Sequence, residues 1–147
     1  MRNCLVLFLV LNLFCGCQWS AEDEQKLITV VNRYLFAENN KLMLSKAALT
    51  HPLFLKEILK KGDSSFINHF NVRSEWNDPV IRNKIQENDN WQVEFKIREL
   101  SSDTLSKKIK LYLVSEDAGK NWFVLEQKFY QNLTLVPQFK RLLKYEN

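Results

Sequence analysis

The stretch Ile109-Lys110-Leu111-Tyr112-Leu113-Val114-Ser115-Glu116-Asp117-Ala118-Gly119-Lys120-Asn121-Trp122-Phe123-Val124-Leu125 decides the fold. Two runs rich in branched and aromatic side chains flank a polar loop, the pattern of a β-hairpin within 107–131. Asp117 can hydrogen-bond its own backbone in such a loop, and Gly119 can take the positive φ that a tight reversal needs. On the second run Phe123, Leu125 and Phe129 face one way, and Trp122, Val124 and Tyr130 the other. Apolar residues on both faces predict a central strand, or a sheet lined on one side by a pocket.

Upstream, Trp91, Val93, Phe95 and Ile97 alternate with Gln92, Glu94, Lys96 and Arg98, which predicts a half-buried antiparallel strand. Ser101-Ser102-Asp103 turns the chain, and Leu105, Ile109, Leu111 and Leu113 carry the inward face of the next strand. The segment 63–90 follows no sustained period. It is expected to hold a short helix or strand around Ser65 to Phe70 and another element around Pro79 to Ile85. Phe70 and Trp76 are expected to plug one end of the core.

Before it the period is helical. Ser20 is a good N-cap with Asp23 three residues on, and Leu27, Val30, Val31, Tyr34 and Leu35 recur at three- and four-residue spacing. A helix over about 21–37 follows, broken at Asn39-Asn40. Helical spacing resumes over 42–49 and is interrupted at His51-Pro52, because the residue before proline avoids the helical region. Pro52 then suits the first turn of a further helix, capped by Thr50 and ended by Gly62. Helices first and antiparallel strands last is an α+β order: N-terminal helices packed on a curved antiparallel sheet of three to four strands. This order, over 21–131, resembles the nuclear-transport-factor-like and cystatin-like folds, in which an N-terminal helix lies across a curved sheet. That resemblance implies an envelope lipoprotein of no set activity, a binder of small hydrophobic ligands or, as an alternative, a small pocket enzyme of the isomerase type, and fold alone does not choose among them.

At 147 residues one domain is expected, with net charge +4 and only three Gly and three Pro. All three cysteines, Cys4, Cys15 and Cys17, precede Gln18, so 18–147 can hold no disulfide framework and no cysteine nucleophile. Arg2 and the apolar run Leu5 to Phe14 have the charge and length of a signal peptide. Leu13-Phe14-Cys15-Gly16-Cys17 resembles a bacterial lipobox, with Phe14 where Leu is usual and Cys15 where Ala or Ser is usual. The resemblance implies a signal peptide over 1–16, cleavage after Gly16 and a lipid on the Cys17 sulfur. Two or three acyl chains hold a protein stably to a membrane. The expected localisation is the cell envelope, anchored on the extracytoplasmic side; plain secretion is the alternative, and Asn132-Leu133-Thr134 would then be a glycosylation acceptor in a eukaryote.

His51 and His69 stand eighteen residues apart with no second histidine at ligand spacing, and read as structural or surface residues. Glu87 and Asp89 lack the alternating ligands and glycine of a calcium loop. No metal, cofactor or catalytic set is therefore expected. The nearest candidates for a buried catalytic base, Glu94 and Glu126, fall by alternation on the side away from the inferred core. Basic residues lie on separate elements, which argues against nucleic acid as a partner. The tail after Pro137, with Phe139, Leu142 and Leu143 opposite Lys140, Arg141 and Lys144, is expected to dock on the sheet edge.

Ser115-x-Asp117-x-Gly119-x-x-Trp122 also resembles the Asp-box of sialidases and related propellers, with Asn121 where threonine is usual. There the box is a folding device on a hairpin, which implies that Asp117, Gly119 and Trp122 form a structural turn. The expected function is binding by a lipid-anchored envelope module. Its partners would be the membrane through Cys17 and an envelope protein, a cell-wall polymer or a small apolar ligand. A secreted inhibitor or immunity-like protein, using Asp117 to Asn121 as a protruding loop, is a further alternative.

Overall fold

The computed structural model describes residues 19–71, 75–99 and 108–127. The expectations for Cys17, the Ser101-Asp103 turn, Leu105, Phe129, Tyr130, Asn132 and the tail after Pro137 lie outside these residues. Among the described residues four helices precede a four-stranded antiparallel sheet of order β1-β2-β3-β4, an α+β fold with a curved sheet.

Helix α1 spans Ala21–Asn39 and begins in a capping box. The Asp23 amide donates to Ser20 Oγ at 3.1 Å, and the Ser20 amide donates to Asp23 Oδ2 at 3.1 Å. Its end lies two residues beyond the expected one, because the Asn40 amide still reaches the Phe36 carbonyl and the reversal falls on Lys41 at φ 56°. Helix α2 is Met43–Leu49, α3 is Pro52–Lys60 and α4 is Asp63–Phe70. The cap of α3 is His51, whose Nδ1 accepts from the Leu53 amide, and not the expected Thr50. Thr50 instead returns its hydroxyl to the Lys46 carbonyl and forms a parallel bridge with Val124.

The strands are β1 (Trp76–Glu87), β2 (Asn90–Glu99), β3 (Lys108–Ser115) and β4 (Phe123–Glu126). Strand β1 occupies the segment that had no sustained period. Register breaks between Asn77 and Val80 and between Ile81 and Asn83, with Asp78 at φ 53°, erase the two-residue alternation of a regular strand. Pro79 is compatible with the outer position of β1 in the order, since proline cannot donate to a second neighbour.

The helix-facing side of the sheet is Val93, Phe95 and Ile97 of β2, Leu111 and Leu113 of β3 and Val124 of β4. Leu27, Val31, Tyr34 and Leu35 of α1 close on it, and all ten are buried. Burial of each aliphatic or aromatic side chain contributes about 2 kcal/mol. The other face is buried at Tyr112, Val114 and Leu125. Burial on both faces therefore belongs to β3 as much as to β4. The far edge of β4 is met by the α2–α3 junction, where the His51 amide donates to the Val124 carbonyl at 3.1 Å. Phe70 and Trp76 do not share a plug: Phe70 packs with Ala47 and Ile58 in a second cluster, and Trp76 against the main one.

His51 is buried, with its ring edge-on to Phe54 and Phe123. Desolvation lowers its pKa below 6.5, partly offset by Glu116. The unfolded chain then binds the proton more readily than the folded one, so His51 contributes stability above pH 6.5 that is lost as pH falls below it. Urea titrations from pH 7.5 to 5 are expected to show the midpoint falling with pH. The His51→Asn variant, which keeps an acceptor at the cap, is expected to lose part of that slope.

Candidate functional site

The interior between helices and sheet holds a charged cluster. Lys46 of α2, with 3% of its side chain exposed, places Nζ 2.9 Å from Glu38 Oε2 of α1 and 3.5 Å from Glu126 Oε1 of β4. Tyr34 donates its hydroxyl to Glu126 Oε1 at 2.5 Å, and the Trp76 indole donates to Glu38 Oε1 at 3.0 Å. His69 Nε2 of α4 stands 3.5 Å from the same Glu126 oxygen. The ammonium also lies 5.3 Å from the centre of the Tyr34 ring and 5.9 Å from that of Phe70. Burial and then the two carboxylates push the Tyr34 pKa well above its ordinary value, so the phenol stays a donor.

Glu126 thus lies on the side opposite to the one expected. The β3–β4 register pairs Leu113 with Val124 and Leu111 with Glu126, which puts Glu126 beneath the helices. Glu94 does lie on the outer face, 3.3 Å from Lys110 Nζ. The sequence pattern shows Tyr34 only as part of the apolar stripe of α1 and gives Glu38 and Lys46 no role, although Glu38 carries a signal. Leu27, Val31, Tyr34 and Glu38 follow one another by four, three and four, so Glu38 continues the apolar stripe of α1. The cluster spans α1, α2, α4 and β4 and offers paired proton donors and acceptors. Yet none of the three surface depressions described below is lined by its members.

At the turn end of the sheet the expected structural turn is built as a hydrogen-bonded knot. Ser115 Oγ donates to Asp117 Oδ1 at 2.7 Å and accepts from the Gly119 amide at 2.9 Å; the Asn121 amide donates to Asp117 Oδ1 at 2.9 Å. These donors hold the Asp117 carboxyl down at about 2. The Ala118 amide donates to the Asp89 carbonyl, and Gly119 lies against the Trp91 ring, so the loop is tied down onto the β1–β2 turn. Trp19 completes this end, 5.3 Å from Trp91 and 5.7 Å from Trp122 between ring centres. A depression of about 430 Å³ opens there, lined by the three tryptophans with Asp23 and Lys26 among its polar rim.

The third feature lies on the outer face at the other end of the strands. An open depression of about 630 Å³ is bordered by Arg82, Lys96, Lys108 and Lys110, with Glu94 and Gln127. A second of about 100 Å³ adjoins it and adds Arg98 and Asp78. Basic residues expected to be scattered because they sit on separate elements are gathered here by register. Lys96 pairs with Lys110 and Arg98 with Lys108, and Arg82 sits at the register break of β1.

Breaking the interior cluster leaves two carboxylates buried beside each other without their cation. Lys46→Met is therefore expected to destabilise the fold by about 3–5 kcal/mol in urea titration. Adding Glu38→Gln and Glu126→Gln is expected to restore much of that loss. At the turn, a Cβ on Gly119 (φ 82°) would meet Trp91 at 2.6 Å, whereas one on Gly62 (φ 92°) meets nothing. Gly119→Ala is expected to cost about 2–3 kcal/mol, and more than Gly62→Ala, by denaturation followed through tryptophan fluorescence.

Comparison of the chain with protein-family models, curated proteins and solved structures finds no match.

Proposed function

We propose that the chain is a cell-envelope protein anchored through a lipid on Cys17, and that it acts by binding at the outer face of its sheet. The observation that carries this reading is the seat of Trp19. Only Gln18 separates it from Cys17, and its ring is packed against Trp91 and Trp122 at the turn end of the sheet. An anchor at Cys17 would hold that end against a bilayer, where tryptophan, apolar in its ring and polar at its N–H, is at home. The basic depression begins near the opposite end of β2: Trp91 and Arg98 are seven residues apart, about 23 Å of extended strand. Such an orientation leaves the depression facing away from the anchoring surface. Among the described residues no helix is long and apolar enough to cross a membrane.

A pocket enzyme is the weaker reading. Tyr34, His69 and Glu126 would suit proton transfer, but Lys46 and Phe70 fill the space beside them. An inhibitor presenting Asp117 to Asn121 is disfavoured by the knot that ties this loop to Asp89. Growth with a clickable fatty-acid analogue is expected to label the wild-type chain and leave Cys17→Ala unlabelled. Equal labelling of the two would defeat the anchor.

A further inference from the structure

The depression on the outer face gathers five cations, Arg82, Lys96, Arg98, Lys108 and Lys110, against two carboxylates, Asp78 and Glu94. Their placement runs against the preference of a sheet. Residues directly opposite on antiparallel strands have side chains in reach of each other, and like charges there repel. Here Lys96 faces Lys110 and Arg98 faces Lys108 in consecutive outward-pointing pairs. A further cation, Arg82, arrives from the register break between Ile81 and Asn83, of the kind that re-aims a side chain. Glu94 lies 3.3 Å from Lys110; among the described residues no ion pair involves Arg82, Lys96, Arg98 or Lys108. Such a face gains stability when an anion enters.

The geometry points to a binding site for a linear phosphate polymer that lacks bases, lying across Arg82, Lys96, Arg98, Lys108 and Lys110. The pairs Arg98–Lys108 and Lys96–Lys110 lie about 7 Å apart along the strands, Arg82 extends the row to about 10 Å, and the cations cross three strands, about 10 Å. That is a track for several successive phosphates, and larger than one phosphate fills. Lysine supplies compact charge and arginine a planar fork, and both suit phosphate oxygens. Among the described residues the lining contains no aromatic ring. Single-stranded nucleic acid is held by stacking its bases on aromatic side chains, so a polymer without bases fits this lining better. This inference rests on the reading of the chain as a binding protein, but not on its Cys17 anchor.

Binding of inorganic polyphosphate to the full-length chain, followed by calorimetry at low salt, tests it. Wild type and Cys17→Ala are expected to bind alike, with affinity falling as salt rises. Lys96→Gln/Lys108→Gln is expected to weaken binding at least tenfold while its thermal midpoint stays level or rises, because a repulsion has been removed. Lys56→Gln/Lys60→Gln, on α3, is expected to bind as wild type. No binding by wild type, or equal losses in the two double variants, overturns the proposal. So does orthophosphate competing as well as polyphosphate at equal phosphorus, which would mean a site for a single anion. Tighter binding of a single-stranded oligonucleotide, or of phosphatidylglycerol vesicles by a route sensitive to Lys96 and Lys108, overturns it in favour of those ligands. Failure of the wild type to take up the fatty-acid label while it still binds polyphosphate would count against the anchor alone.

Discussion

The Lys46 ammonium, buried between Glu38 and Glu126, is the contact on which the arrangement of helices over sheet depends. It joins α2 to α1 on one side and to the last described strand on the other. A charge taken out of water is costly, and the cost is met only when its partners are placed well. Apolar packing alone would tolerate a shift of α2 along α1; an ion with two fixed carboxylates does not. Tyr34 and Trp76 then satisfy further oxygens of those carboxylates, so a rotation of α1 or a slip of β4 would strand a buried charge.

The same logic governs the edge of the sheet. Strand β4 is short, and its outer edge would expose unpaired backbone groups to another chain. The junction of α2 and α3 covers it, with Thr50 bridging Val124 and the His51 amide bonded to the Val124 carbonyl. Pro52 helps to make this possible: it keeps His51 extended, and an extended residue can pair with a strand. A helix break visible in the sequence thus becomes a capped sheet edge, and the buried His51 ring follows from it.

The two ends of the sheet differ in chemistry. At the turn end Trp19, Trp91 and Trp122 and the Ser115-Asp117 knot give an aromatic surface. Toward the other end the outer face gathers, among the described residues, five cations against two carboxylates. The knot fixes where β4 begins and hence its register, and register sets which face Glu126 occupies. A turn that resembles a recurrent folding device therefore acts on the interior ion pairs without touching them.

Periodicity alone determined the α+β class, the capped first helix, the helix break at His51-Pro52, and the strand from Trp91, because these depend on neighbours in the chain. Register breaks and Asp78 hid β1, since one extra residue destroys a two-residue alternation. What only the tertiary structure decided is which side of each strand is inside, and which distant charges meet. Glu38 could have been read from the stripe of α1, but Lys46 and Glu126 could not, because their partners lie on other elements. Likewise Arg82, Lys96 and Lys108 are far apart in sequence and become neighbours through antiparallel pairing. Coulomb forces act through space, whereas a sequence pattern records only separation along the chain.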